Sequence, residues 1–367
     1  MIIRKRFVFV ALLLALTLSL PGLAQRRNNQ QEQQAANAGA PVGPVSQSQA
    51  EADAFNALQK EQIPANILGL TEKFLAAYPM SQLNGYVHRF RMFALMRTGK
   101  CQDAVTEGET GLMLETDFLA QLQAADPKVN KIDKNSESFK NFVAQTDAAK
   151  LSYYQTLMTC SQQLNNAEKT IEWGERALAQ SPDDLVALLT VSGVMAERPP
   201  AGSVGGAPTF TGGASQTPPA GDPKLLEQHM KKTEEYGKKA IDRLNVFLAG
   251  PGAGLAPDQK GMYVSNAHQT LGLVYLHLKK YGDSQREYLA AIAAKKDDPI
   301  SHYRLGIAYA QDRKNDQAME SLAKSVFLKG VSEPEARKTL TLLYEAKNKS
   351  TQGMDEYIAS AGTKIGQ

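Results

Sequence analysis

At 367 residues the chain is long enough for two or three globular domains, and at 43% hydrophobic it has the apolar material to fold. Its 41 basic and 38 acidic residues give a formal charge of +3, and three of the basic ones lie in a segment that reads as removable. The remaining 38 of each sign leave a formally neutral mature chain, which withdraws electrostatic support from nucleic-acid binding as a main role.

That removable segment is residues 1–24. Arg4, Lys5 and Arg6 form a basic start, Phe7 to Leu20 an apolar run, and Gly22-Leu23-Ala24 a small-x-small cleavage site, which together read as a secretory signal peptide. The run is about 14 residues, short of the roughly 20 needed to cross a bilayer. Cleavage after Ala24 would send the chain to the periplasm or outside the cell, so the membrane is met only in transit. Residues 25–50, rich in Gln, Asn, Ala and Ser, cannot bury enough surface to offset ordering their backbone and are expected to be a disordered leader.

Helical periodicity begins at Glu51 and continues through Ala54, Leu58, Ile67, Leu70 and Phe74, with Pro64 as a break and Tyr78-Pro79 as the end of a worn first hairpin. A second hairpin fits Gly85 to Phe118, its first helix unusually aromatic (Tyr86, Phe90, Phe93) and its turn at Thr98-Gly99-Lys100. Residues 119–150 depart from the pattern: Leu119 to Ala125 extends the preceding helix, Asp126 to Ser136 is a polar loop, and Phe139 to Lys150 is helical. The acidic and amide residues of that loop lack the spacing and the Gly of a calcium site. The third hairpin, Leu151 to Asp184, contains Trp173-Gly174 followed by Ala177. The fourth repeats this as Tyr236-Gly237 and Ala240, and the second has a fainter version at Gly108 and Gly111. A Gly and a small residue three apart carve a shallow trough on one side of a helix, where the next hairpin is expected to dock.

The fourth hairpin is interrupted. Leu185 to Glu197 is its first helix and Lys224 to Leu248 its second; residues 198–222 between them hold six Gly and five Pro and read as a flexible loop. This divides the helical part into N-terminal repeats (51–197) and C-terminal repeats (223–367). The fifth and sixth hairpins start at Ser265 and Pro299 and repeat most faithfully. Leu271-Gly272 with Tyr275 returns 34 residues later as Leu305-Gly306 with Tyr309. A less faithful seventh unit spans 334–365. A hairpin of two amphipathic helices leaves an apolar face that only a neighbouring hairpin can cover, so such units stack.

Leu-Gly-x-x-Tyr at a 34-residue period resembles the tetratricopeptide repeat family. The resemblance implies an all-α, right-handed solenoid of about six to seven hairpins. It also implies a concave face lined by positions 2, 5, 9, 12 and 13 of each first helix, counting Gly85, Leu151, Ser265 and Pro299 as position 1. Carried onto this chain, the peptide-binding groove would comprise Gln269, Leu273, Leu276 and His277 with Tyr303, Ile307 and Gln311. Asn266, Ile300 and Ala310 fall on the same face, as do Arg89, Phe93 and Gln155 in earlier hairpins. The lysines and asparagines that clamp a terminal carboxylate in the family's chaperone-tail binders are missing, apart from isolated Arg89 and Arg304, which weakens a chaperone-adaptor role.

The function expected is therefore a non-catalytic, exported scaffold that holds another protein or peptide, without a cofactor, metal or small-molecule substrate. No phosphate-binding glycine loop, His-Glu-x-x-His or Gly-x-Ser-x-Gly occurs in the sequence. His268 and His302 share one repeat position and are expected to be about 10 Å apart, too far to share a metal ion. Cys101 and Cys160 stand as unpaired thiols by default, since nothing in the sequence sets their separation. A bond between them, worth about 3–4 kcal/mol, stays open. The rival from another class is a carbohydrate- or peptidoglycan-binding envelope protein using Trp173 or the rings of Tyr86, Phe90 and Phe93.

Overall fold

The computed structural model describes residues 42–126, 132–203 and 221–365. The signal peptide, most of the leader, the tip of the polar loop and most of the Pro/Gly-rich stretch lie outside the described residues. Within them the fold is all-α: fourteen helices and no strand, with one isolated bridge between Ser203 and Asp222. The chain divides into two compact units after Gln180. The first contains α1 (Gln49–Lys60), α2 (Pro64–Ala77), α3 (Asn84–Arg97), α4 (Cys101–Ala124), α5 (Glu137–Gln163) and α6 (Ala167–Gln180). The second contains α7 (Leu185–Glu197), α8 (Pro223–Ala249), α9 (Pro257–His277), α10 (Tyr281–Ala294), α11 (Pro299–Gln311), α12 (Asn315–Leu328), α13 (Glu333–Asn348) and α14 (Met354–Gly362). The Pro/Gly-rich stretch thus interrupts the α7–α8 hairpin, whose helices pack on each other within one unit.

Local signals set the helix ends. The side chains of Ser48, Ser136, Asp184, Asp222 and Asp298 each accept a backbone N–H in the first turn of the following helix. Proline opens α2, α8, α9 and α11, where no N–H is needed. The hairpin turns repeat more faithfully than the residues that make them. Position 15 has a left-handed φ at Gly99, Asn165, Lys279 and Arg313 alike. In each case the N–H of position 16 reaches the carbonyl of position 11: Lys100 to Leu95, Asn166 to Ser161, Lys280 to Tyr275 and Lys314 to Tyr309, at 2.8 to 2.9 Å. This is a Schellman closure, and its backbone hydrogen bond holds the turn whether or not glycine is present.

Within each unit, second helices pack on the first helix of the next hairpin: α4 on α5 in the first, and α8 on α9, α10 on α11 and α12 on α13 in the second. The troughs sit at these contacts, as expected. A Cβ at Gly108 would fall 2.9 Å from Leu157 of α5, and one at Gly237 2.7 Å from Leu271 of α9. Both leucines occupy position 7 of the incoming helix. Within a hairpin, positions 8 and 24 face each other with reciprocal sizes. In the second unit Gly272 receives the Tyr288 ring and Gly306 receives Leu322, where Cβ atoms would lie at 2.8 and 2.6 Å. In the first unit the sizes are exchanged, for Met92 packs onto Gly108. The third hairpin carries the same pair of residues as Met158 and the buried Gly174.

Three features depart from the expectation. The last leader residues are not free: Gly43 lies against the Phe142 ring, and the Val45 N–H donates to Gln82 Oε1 at 3.2 Å. The stretch after Leu119 extends α4 to Ala124 and is helical again by Phe139, as expected, but α5 does not stop at Lys150 and runs unbroken from Glu137 through the whole first helix of the third hairpin. Phe118 meets Phe142 edge-on at 6.1 Å, and Leu119 and Phe139 are buried beside them. Finally, α13 and α14 both lie on α12, so the seventh unit folds back onto the sixth.

Two stability changes follow. Gly272→Ala is expected to cost about 1–3 kcal/mol despite the better helix propensity of alanine, because the buried Tyr288 ring must move. Arg313→Gly is expected to gain about 0.5–1 kcal/mol, by relieving a left-handed side-chain-bearing residue at φ 61°. Guanidinium titrations of both variants, followed by circular dichroism, measure these shifts.

Candidate interaction site

The groove read from the repeat register is not an open surface. Leu273, Leu276, His277 and Ile307 are all buried, the most exposed at 8%. The cause is the length of α8. It begins at Pro223, and its early turns bring Leu226 and Met230 into the same apolar cluster as Ala196, Leu273, Leu276 and Ile307. The other groove residues serve the fold: Gln269 Nε2 donates to Asp298 Oδ2 at 3.1 Å, and Tyr303 packs half-buried against the cores on both sides. Gln311 is half-buried on the same helix. Arg304 is not a free cation either, since its guanidinium is paired with Glu197 at the end of α7. Burial works against that charge, but Glu197 and Tyr288 hold Arg304 above the ordinary arginine range.

All five histidines have structural surroundings. His88 Nδ1 lies 2.6 Å from Glu107 Oε2, and His268 Nδ1 lies 2.8 Å from Glu287 Oε2. Both pairs join positions 4 and 23 across one hairpin. His302 turns its Nε2 to the Lys296 carbonyl at 3.0 Å, so the two histidines sharing a repeat position have separate partners. His229 Nε2 reaches the Met195 carbonyl at 2.9 Å, and the His277 ring faces the carbonyl of Ala196. Two carbonyls and a carboxylate at the end of α7 are thereby met by side chains of α8, α9 and α11.

In the first unit Arg89 is likewise committed. Its guanidinium lies 3.3 Å from Glu115 Oε2, and Tyr153 Oη donates to Glu115 Oε1 at 2.8 Å. Burial pushes the Glu115 carboxyl up, against the opposing effects of Arg89 and Tyr153. The two cysteines, expected as separate thiols, are joined: Cys101 at the start of α4 and Cys160 within α5 form a disulfide with Cα atoms 4.9 Å apart. The Schellman turn places Cys101 directly after the hairpin bend, and α4–α5 stacking brings α5 against it.

An open recess of about 510 Å³ lies between α4 and α6, floored by α5. Met113, 55% exposed, and Leu112 stand on one wall; Trp173, Arg176 and Lys169 form the other; Tyr154 lies on the floor. Tyr154 and Trp173 stack at 6.1 Å with 21° between planes, and the Arg176 guanidinium covers the indole at 4.5 Å. Glu172 pins both Arg176 and Lys169 at 2.8 Å and is itself held below the usual carboxylate range, chiefly by its hydrogen bond from Lys169. The indole Nε1 is buried with no protein partner among the described residues.

Sequence reading singled out Trp173 but not the recess, whose walls come from positions 61 residues apart with no shared motif. The rival reading offered this ring to a carbohydrate; Trp173 is only 4% exposed, with Tyr154 and Arg176 packed against it. Tyr86 and Phe90 pack in the core around Phe55, so those rings offer no open platform either.

No family model and no curated protein matches the chain. Among solved structures it is similar to a tetratricopeptide repeat protein from Parabacteroides merdae, with 13% identity, 86% of this chain and 98% of that one covered, and a TM-score of 0.41. It is also similar to a thermophilic tetratricopeptide protein of Thermus thermophilus (16% identity, 70% and 94% covered, TM-score 0.35). A third is BtubC from P. vanneervenii (13% identity, 77% and 91% covered, TM-score 0.38). The fold is that of tetratricopeptide-type hairpins stacked in tandem, and the 34-residue register of turns, glycines and helix contacts carries that assignment.

Replacing both cysteines by serine is expected to lower the stability of the first unit by about 4 kcal/mol, because the bond closes a 59-residue separation. Trp173, the chain's single tryptophan, is buried in that unit and reports its unfolding by fluorescence.

Proposed function

We propose that the chain is an exported, non-catalytic repeat scaffold of a bacterial cell envelope that holds a segment of another protein. The observation that carries this reading is the recess between α4 and α6. It joins the exposed Met113 thioether and the half-buried Leu112 to a rigid, ion-paired wall, with Glu109, Asp117 and Lys150 also lining it, a combination suited to a segment that offers one apolar anchor among polar groups. Met113 supplies an adaptable contact, while Tyr154, Trp173, Arg176 and Glu172 keep their shape before binding. Export is supported by the basic, apolar and small-residue pattern of residues 1–24 and by the disulfide, which persists in oxidising compartments.

Binding through the recess predicts that Met113→Glu weakens partner capture at least tenfold while leaving the circular dichroism unchanged. Met80→Glu, at another highly exposed methionine of the same unit, should have no effect. Photo-crosslinking in intact cells from position 113, compared with position 80, measures capture. Equal yields of the same adduct from both positions would reject the site. N-terminal sequencing of the mature protein tests export separately, with Gln25 as the expected first residue.

A further inference from the structure

The end of α7 is held by an arrangement that the scaffold reading does not use. His229 of α8, His277 of α9 and Arg304 of α11 converge on the carbonyls of Met195 and Ala196 and on the Glu197 carboxylate. Basic groups at a helix C-terminus complement its partial negative charge. Three of them share one carboxylate here, and Arg304 already engages it. His277 is 8% exposed, and its Nε2 is buried with no hydrogen-bond partner among the described residues. In the neutral ring that nitrogen is a bare lone pair. In the charged ring it would be a buried N–H with nothing to receive it.

We infer that this junction is an acid-sensitive latch: protonation of His277 releases the end of α7, withdraws Ala196 from the apolar cluster it shares with Leu273, Leu276 and Ile307, and so loosens the first-helix face of α9 and α11. The charged and titratable groups facing the ring are Glu197 from α7, His229 from α8 and Arg304 from α11, while Tyr288 of α10 neighbours Arg304 and Glu197. Residues 204–220 contain no ionisable side chain, so that stretch can bring no compensating charge. A second positive charge beside Arg304 therefore has no unengaged carboxylate to pair with. The arrangement that restores hydration to the ring is the one in which α7 withdraws.

The direction of the pH response follows from burial, which pushes the His277 pKa from the ordinary 6.5 down to about 4. The closed form resists protonation more than the open one. Its advantage is complete above about pH 6.5 and is lost as the pH falls toward 4. Between pH 7 and pH 5 the linkage amounts to roughly a twentyfold rise in opening.

Hydrogen exchange of the full-length protein, with exchange times scaled for the intrinsic pH dependence, tests this. Peptides covering the end of α7, Leu271 to His277 and Leu305 to Ala310 are expected to lose protection about twentyfold from pH 7 to 5. Peptides of α3 to α5 should not follow. His277→Gln keeps a donor for the Ala196 carbonyl but cannot take up a proton, and should abolish the acid response. The same loss of protection in a folded His277→Gln protein would overturn the latch. Should that variant fail to fold, imidazole NMR of the wild type decides. A His277 ring that charges near its ordinary pKa while α9 stays protected overturns the proposal, and one that stays neutral until protection falls supports it.

Discussion

Close approach between a glycine on one helix and a bulky side chain on the next is the constraint on which this molecule depends. Gly108 accommodates Leu157, and Gly237 accommodates Leu271. In both cases a single added methyl would push the incoming helix away. Contacts of this kind decide how far each hairpin stands from its neighbour, and therefore which apolar side chains reach across. The buried clusters around Leu305 and Leu322 exist because the helix backbones come near enough for position 7 and position 24 side chains to interleave. Glycine costs about 1 kcal/mol of helix propensity at each such point, a smaller quantity than the burial of one leucine recovers.

The same stacking explains why the polar groups of the core are arranged as they are. His88 and His268, at position 4, meet glutamates at position 23 because the two helices of a hairpin face each other there, whereas His302 at the same position turns to the Lys296 carbonyl. Glu115, Arg89 and Tyr153 meet because α3, α4 and α5 converge at Gly85, whose missing side chain makes room for the Glu115 stem. These networks pin successive hairpins in register. They also use up charged groups that would otherwise be available to a partner, leaving the α4–α6 recess as the more open feature of the first unit.

Much of the fold was legible in the chain because it rests on short-range repetition. The Leu-Gly-x-x-Tyr register located the fifth and sixth hairpins, and the Gly108 and Tyr236-Gly237 echoes marked docking troughs. The groove was not legible. Repeat position alone assigned Leu273 and Ile307 to an open face; the start of α8 was read to within one residue, but nothing in the sequence says that its early turns fold over that face. The disulfide was equally hidden, since the distance between Cys101 and Cys160 depends on α4–α5 stacking and not on the 59 residues between them. The recess failed to register for the same reason: Met113, Tyr154 and Trp173 become neighbours only once three helices are in place.

The exchange of sizes between positions 8 and 24 also governs pairing. The first unit sets methionine against glycine, and the second sets glycine against tyrosine or leucine. A first helix from one unit mated with a second helix from the other would bring two large side chains into collision or leave two glycines facing an empty gap. Neither mismatch can be repaired by a change of rotamer. The steric signature thus separates the second and third hairpins from the fifth and sixth: a first helix of one pair does not fit a second helix of the other.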